Sequence, residues 1–324
     1  MIALVKLKEF INKVNDDLRI YKQVFLHFIT TSINKFHNLA KTNFDLGMYH
    51  INHGNTIDAK LRFKLVKNLF GDFANIDYHL ARCYIYENNT KKALNHLALD
   101  EPLAIFRRHI IENKEINYIP LQVIIEDYDY HANFENHYTT SLPIINSYIS
   151  RIIELKEIVT FSRILDLGCG RGNFAIALEK TFTHPFTIDA IDSSSSMINH
   201  CKTLKNAEDI TIYNNYYNSD YRKFQIAPDD KYDLVIANFS LHYSLNLTES
   251  LGHIIKFLKD KGVIFLTLYT STESVSFDYD LQNFCFSEEF IKACIKESNL
   301  NIRGINNSTI NETKNLVELI LTRN

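Results

Sequence analysis

The stretch ILDLGCGRGNF, Ile164–Phe174, is an apolar run that ends in an acid and then breaks into three glycines, Gly168, Gly170 and Gly172, within five residues. The run reads as a buried strand, and the NFAIALEKTF that follows reads as a helix. A glycine-rich turn between strand and helix lets a ligand approach the backbone closely. All three glycines are expected where a side chain would collide with that ligand. Asp192 closes the next predicted strand, FTIDAI, 20 residues after Gly172. An acid there can accept from both hydroxyls of a ribose, so the loop suits a nucleoside-bearing cofactor.

Two features separate the candidate cofactors. A dinucleotide loop, G-x-G-x-x-G, would put glycine at 173, where Asn173 stands. Asp166 ends the strand and points into the site, which is unfavourable beside a pyrophosphate and favourable beside a sulfonium and an α-ammonium. LDLGCGRG resembles the first motif of class I S-adenosylmethionine-dependent methyltransferases. The resemblance implies S-adenosylmethionine along Gly168, Cys169 and Gly170, with Asp166 reaching its amino-acid end directly or through water. It extends over residues 128–324. IDAIDSSSSMI resembles the second motif, which implies Asp192 and Ser193 at the ribose and Met197 near the adenine. NSDYRKF resembles the third, with Asp220 and Tyr221. Asp220 lies 12 residues before Tyr232, where members place an acid that accepts from the adenine amino group. Asn214 and Asn215 are the alternatives if that strand ends earlier. YDLVIANFSLHY resembles the fourth strand and its exit loop, which faces the transferable methyl group and carries Asn238, His242 and Tyr243. His242 and Tyr243 are the candidate catalytic pair. The family's sheet order is 3-2-1-4-5-7-6 with an antiparallel seventh strand, and LVELILT reads as that strand. Cys169 reads as a small residue that fits, and Asp189 as structural.

Alternation of apolar strands with amphipathic helices after residue 141 gives an α/β, doubly wound, mostly parallel seven-stranded Rossmann-like sheet. The chain before it has a different texture. FDLGMYHINHGNTIDAKLRF, Phe44–Phe63, matches YHLARCYIYENNTKKALNHL, Tyr78–Leu97, at an offset of 34 residues. Leu46 and Leu80, Ile51 and Ile85, Asn55 and Asn89, Thr56 and Thr90, and Ala59 and Ala93 are identical pairs. This resembles the tetratricopeptide repeat, with Leu80-Ala81-x2-Tyr84 and Ala59-x3-Phe63 standing for its signature positions. Small residues at 47, 59, 81 and 93 let antiparallel helices approach. Leu46 and Leu80 are expected in the seam, and the Asn-Thr pairs supply capping oxygens. Helical stretches near 3–38 and 102–114 are expected to cap the stack. The expected organisation is an all-helical repeat module over 1–115, an aromatic linker over 116–140 and a methyltransferase domain over 141–324. In the linker, Tyr128, Tyr130, His131 and Phe134 are read as a lid over the cofactor. The whole arrangement resembles predicted methyltransferases that carry tetratricopeptide repeats.

Composition bounds the rest. The five cysteines show no CxxC and no paired spacing, which speaks against a zinc site or a disulfide framework and for a reducing compartment. No metal is expected. No long apolar run and no signal-like start are visible, so the expectation is a cytoplasmic protein without a membrane segment. Residues 1–115 carry 17 Lys and Arg against 12 Asp and Glu, and the remainder 18 against 26. That asymmetry suits a solvated surface or an acidic partner. No strongly basic segment suggests RNA, which sets nucleic acid aside. Asn238 is followed by Phe239-Ser240 rather than two prolines, which sets aside adenine and glutamine N-methylation. The expected function is methyl transfer to a small molecule or a protein- or carrier-bound acceptor, with the repeats recruiting a protein partner. A repeat-based adaptor with a silent methyltransferase-like domain is the alternative. Asp166, Gly168, Gly170 and Asp192 together favour the enzyme.

Overall fold

The computed structural model describes residues 22, 25–26, 29, 38–71, 73–132, 149–150, 161–181, 185–310 and 314–323. The chain divides into two compact units. One reaches His96, and the other runs from Leu97 to Asn324 and takes in Asn52–Gly54.

The first unit is helical where it is described. It contains α1 (residues 38–52), α2 (Thr56–Phe70), α3 (Ile76–Tyr86) and α4 (Thr90–Leu94). Helices α2 and α4 begin 34 residues apart with the same device. The side chain of Asn55 accepts from Asp58 N, and that of Asn89 accepts from Lys92 N, so each satisfies a first-turn donor. Ala59 and Ala93 are fully buried. Leu80 is buried as expected, but Leu46 is 37% exposed. Phe63 is fully buried instead. Gly47 has no side chain, and the Phe63 ring lies where its Cβ would be. The ring then packs on Phe44 at 5.9 Å between centroids.

The second unit is built on a seven-stranded sheet. Its strands are β1 (Arg163–Leu167), β2 (Thr187–Asp192), β3 (Asn215–Asn218), β4 (Tyr232–Asn238), β5 (Leu258–Tyr269), β8 (Leu300–Ile310) and β9 (Lys314–Arg323), in the order β3-β2-β1-β4-β5-β9-β8. The first five run parallel, and β9 is antiparallel to both neighbours. This is the expected 3-2-1-4-5-7-6 order, with LVELILT as the antiparallel strand. Both faces of the sheet are buried, so β1 is apolar on both sides. Ile164 enters one core with Ile188, Leu234 and Phe265, and Leu165 and Leu167 enter the other with Val235, Leu266 and Leu319. Around the sheet lie α7 (Asn173–Thr181), α8 (Ser195–Cys201), α9 (Leu247–Phe257) and α10 (Glu288–Glu297).

Four expectations change. ITIYNN is not a strand: β3 starts at Asn215, because Tyr213 turns inward to a buried acid and is 1% exposed. A two-stranded hairpin, β6 (Val275–Asp278) with β7 (Asn283–Phe286), follows β5. The segment read as a linker contains a helix, α6 (Leu121–His131), which starts after Pro120. Helix α5 (Pro102–Ile111), expected to cap the repeats, belongs to the second unit: Phe106, Ile116, Ile119 and Val123 are part of a sheet core. Buried Arg107 of α5 donates to both oxygens of Asp127 on α6, at 2.9 and 2.7 Å, and stands 3.7 Å from buried Glu126. Among the described residues no helix is long and apolar enough to cross a membrane.

Removing one partner of a buried pair costs about 3–5 kcal/mol, because the other charge stays buried. Arg107→Ala is expected to lower the urea midpoint of the second unit accordingly, and double replacement with Asp127→Ala to recover part of the loss. A midpoint unchanged by Arg107→Ala would show that α6 is not held by this pair.

Candidate cofactor and methyl-transfer site

The glycine loop crosses the C-terminal ends of the parallel strands, where open α/β sheets bind ligands. Gly168 N and Cys169 N donate to Ile191 O at 2.8 and 3.1 Å, which pins the loop to the end of β2. The three glycines have different reasons to be there. All have positive φ. A Cβ on Gly168 would lie 2.6 Å from Ser240 Cβ, and one on Gly172 would lie 2.5 Å from Leu204 Cδ1. At both positions protein atoms alone already exclude a side chain. Only Gly170 opens to free space, with φ +51°. It is the point of the loop at which a ligand can lie on backbone.

Asp192 is the centre of the site. Its Oδ2 accepts from Gly170 N at 2.9 Å and its Oδ1 from Ser194 N at 2.8 Å. Burial pushes its carboxyl up to about 6, against the pull of those two amides, and Asp129 adds to the rise. Asp166 is buried beneath the loop and accepts from Tyr213 Oη at 2.7 Å. Burial raises it to about 7, Tyr213 holds it down in part, and Asp192 raises it further. Asp189, in contrast, is taken up by protein. It accepts from Tyr232 Oη and Asn215 Nδ2, each at 2.9 Å.

The other candidates flank this centre. Ser193 Oγ donates to Ser219 O at 3.5 Å. Met197 is buried on α8, and its N donates to the Ser194 cap. The Asp220 carboxylate is turned to Arg222, which donates from Nε and Nη2 at 3.0 and 2.7 Å. Burial works to raise Asp220, and Arg222 outweighs it, so the group is held below the usual carboxylate range. Tyr221 Oη donates to Ser250 Oγ at 3.0 Å. Cys169 is buried with its Sγ 3.7 Å from Cys201 Sγ.

The β4 exit loop completes the arrangement. Phe239 has φ +53°, a conformation that costs a bulky residue about 1–3 kcal/mol. It re-aims the chain so that Ser240 meets Gly168 and His242 turns inward. His242 is 2% exposed, with its ring 4.3 Å from Tyr243 and 5.5 Å from Tyr269. Burial lowers its imidazole to about 3, so it is neutral at physiological pH. Among the described residues four buried polar atoms here have no partner: Asn238 Oδ1, Ser240 Oγ, His242 Nδ1 and Thr267 Oγ1. Thr267 pairs in register with Asn238. Buried polar atoms are almost always bonded, so a cluster of unbonded ones marks where a polar ligand or water belongs.

Helix α6 touches all three loops. Tyr128 Oη is 2.5 Å from Tyr243 Oη. Asp129 accepts from Ser194 Oγ at 2.5 Å and Ser196 N at 3.2 Å. Arg171 of the glycine loop donates to Ala132 O. Tyr130 is half-buried on the same helix. The His131 side chain and Phe134 lie outside the described residues. Asp129, the acid that links α6 to α8, carries no motif of its own in the sequence.

The comparisons with known proteins agree with this geometry. The family profile described as "Methyltransferase domain" matches residues 143–303. The chain carries a class I S-adenosylmethionine-dependent methyltransferase domain. A curated relative, the malonyl-[acyl-carrier protein] O-methyltransferase of Paenibacillus sp. (strain JDR-2), is 26% identical over 144 residues, 44% of this chain and 50% of that protein. The 23S rRNA (uracil(1939)-C(5))-methyltransferase RlmD of Francisella tularensis is 28% identical over 155 residues, 47% of this chain and 32% of that protein. The chain thus spans about half or less of these relatives. Among solved structures, a Leishmania major S-adenosylmethionine-dependent methyltransferase superposes with TM-score 0.50 at 17% identity, covering 72% of this chain and 90% of that one. It supports the fold of the methyltransferase domain.

The residues fit the cofactor: Gly170 is open, an acid stands beside it, and unbonded polar atoms lie at the β4 exit. Ribose hydroxyls that donate to Asp192 need its ionised form. In the free protein Asp192 and Asp166 keep protons that the unfolded chain gives up near pH 4, so their contribution to stability falls as pH rises from there to about 7. Binding has the opposite slope. S-adenosylhomocysteine affinity is expected to fall about tenfold between pH 7 and pH 5 for re-ionising Asp192 alone. Calorimetry on wild type and Asp192→Asn checks this, since the variant should lose that part of the slope.

Proposed function

We propose that the chain is an active methyltransferase that acts on a small-molecule or carrier-bound acceptor, and that its helical unit recruits a protein partner. The observation that carries the reading is the Asp192 carboxylate held between Gly170 N and Ser194 N, beside the open face of Gly170. A silent domain would have no use for an acid kept at this energetic cost.

Bound S-adenosylmethionine supplies an electrophilic methyl group on a sulfonium. In this proposal Asp192 and Ser193 hold the ribose, Met197 and Asp220 border the adenine, and Gly168, Cys169 and Gly170 give backbone to the methionine end. Asp166 places negative charge under the ammonium. Asn238 meets the same end with its unbonded oxygen. Tyr221 supports the adenine side through Ser250. Methyl transfer is an in-line displacement, so the protein's main work is to position the acceptor and exclude water. His242 and Tyr243 face the acceptor, with Tyr269 and Phe239 as aromatic walls that also attract a cation. Helix α6 is the lid. Tyr128, Asp129 and Ala132 bind it to the loops after β4, β2 and β1, so closing it completes the enclosure.

For the helical unit, the 34-residue spacing of the Asn55 and Asn89 caps and the burial of Ala59 and Ala93 support a degenerate tetratricopeptide pair. Ile57, Leu61, Leu65 and Leu69 form an exposed stripe at four-residue spacing on α2, the kind of ridge a protein partner covers. A carrier protein, as in the malonyl-[acyl-carrier protein] O-methyltransferases, is the partner class we favour.

S-adenosylhomocysteine is expected to raise the melting temperature, with a linkage gain of about 2.7 kcal/mol at 100 times the dissociation constant, and NAD to do nothing. Asp192→Ala should weaken cofactor binding by about 1.5–3 kcal/mol, as for hydrogen bonds to a charged group, and Asp189→Ala should destabilise the sheet without a matching loss of affinity. Labelled methyl transfer into small-molecule and protein fractions of cell extract tests activity. Binding without transfer to either fraction would favour the adaptor.

A further inference from the structure

A cavity of about 200 Å³ lies at the C-terminal end of β5, between the β6–β7 hairpin and the start of β9. Its wall includes Tyr269, Ser271, Ser276, Asp278, Lys314 and Asn315. The hairpin is tied to the methyl-transfer loop: Phe284 N donates to His242 O at 2.9 Å, and Ser271 N donates to Phe286 O at 3.0 Å. Tyr269 stands between the two places, with its ring 5.5 Å from His242 and 4.8 Å from Phe239. The cavity and the exit loop therefore share a wall.

The cation in that wall is Lys314. It is ion-paired with Asp278, and Asp280 stands 3.7 Å away. Asp278 has a separate task. Its other oxygen accepts from Asp280 N and Leu281 N, each at 3.0 Å, and so shapes the hairpin turn. An ammonium has three donors, so Lys314 keeps donor capacity beyond Asp278 and Asp280. Thr270, Ser271 and Ser276 line the same cavity. The volume is below the roughly 300–1,000 Å³ of pockets for drug-sized ligands, which limits the occupant to a short chain.

We propose that this cavity receives the methyl acceptor as a small carboxylate, with Lys314 as the cation that binds and selects it. The proposal rests on the methyltransferase reading above. The carboxylate oxygen forms the O–CH3 bond with its own lone pair, and the S–CH3 bond breaks with its electron pair kept by sulfur. Negative oxygen and positive sulfur both become neutral, and no proton is taken or released. This suits a loop whose histidine is held neutral by burial, since a carboxylate needs no base.

The full chain and two variants test it. The probes are malonyl-, succinyl- and glutaryl-pantetheine as acceptors, and malonate against malonamide as inhibitors. Lys314→Gln is expected to bind S-adenosylhomocysteine within about twofold of wild type, to raise KM for the accepted thioester about tenfold with kcat little changed, equivalent to about 1.4 kcal/mol, and to lose the preference for malonate. Asp278→Asn keeps the turn acceptor and frees the lysine, so it should lower KM. A merely structural pair would make both variants worse alike, and that result overturns the proposal. So does transfer by wild type to amines or phenols with none to the three carboxylates. Failure of wild type to bind S-adenosylhomocysteine would instead sink the methyltransferase reading itself.

Discussion

The carboxylate of Asp192 is the point on which the site depends. One oxygen holds the glycine loop through Gly170 N, and the other holds the start of α8 through Ser194 N. Two loops that follow different strands are thereby fixed against each other before any ligand arrives. A hydrogen bond to a charged group contributes about 1.5–3 kcal/mol, and burial of the charge works against it. Here burial wins in part, since the carboxyl stands near 6 rather than near 4. The ionised form is thus the one that a hydroxyl-bearing ligand would stabilise most.

The same loops carry α6. Asp129 accepts from Ser194 Oγ, the hydroxyl that caps α8, so the cap and the helix above it are one network. Arg107 secures the far side of α6 through Asp127. Because Phe106, Ile116, Ile119 and Val123 sit in the sheet's core, residues 97–131 are part of the catalytic unit's folding. A helix built in this way cannot be deleted cleanly. It can only be loosened, residue by residue, at Tyr128 or Asp129.

What could be read from the sequence follows from how local each signal is. The strand alternation is a local signal and placed most of the strands, whereas the sheet order and the antiparallel direction of LVELILT came from what the resemblance carried by ILDLGCGRGNF implies. The place of Asp192 at the end of β2 was readable from the strand pattern. Helix α6 was not, since its acids Glu126, Asp127 and Asp129 look solvated until Arg107 and Ser194 are brought to them from 20 and 65 residues away. Tyr213 hid the start of β3 for the same reason: its hydroxyl belongs to Asp166, 47 residues distant. The β6–β7 hairpin has strands of four residues each, too short for a period to declare itself. The roles of Gly168 and Gly172 needed the positions of Ser240 and Leu204, which no spacing supplies.

The distribution of cost across the second unit separates support from function. Asp189 takes Tyr232 and Asn215, and the Arg107 guanidinium takes both oxygens of Asp127, so these carboxylates are bonded within the fold. At the β4 exit the pattern reverses. Phe239 holds a strained φ, and Asn238 Oδ1, Ser240 Oγ, His242 Nδ1 and Thr267 Oγ1 are buried without partners. Each unbonded group costs about 1–3 kcal/mol, a large fraction of a domain's stability. The four atoms lie where the glycine loop, the α6 helix and the exit of β4 converge, which is where the proposed cofactor and acceptor would meet polar groups.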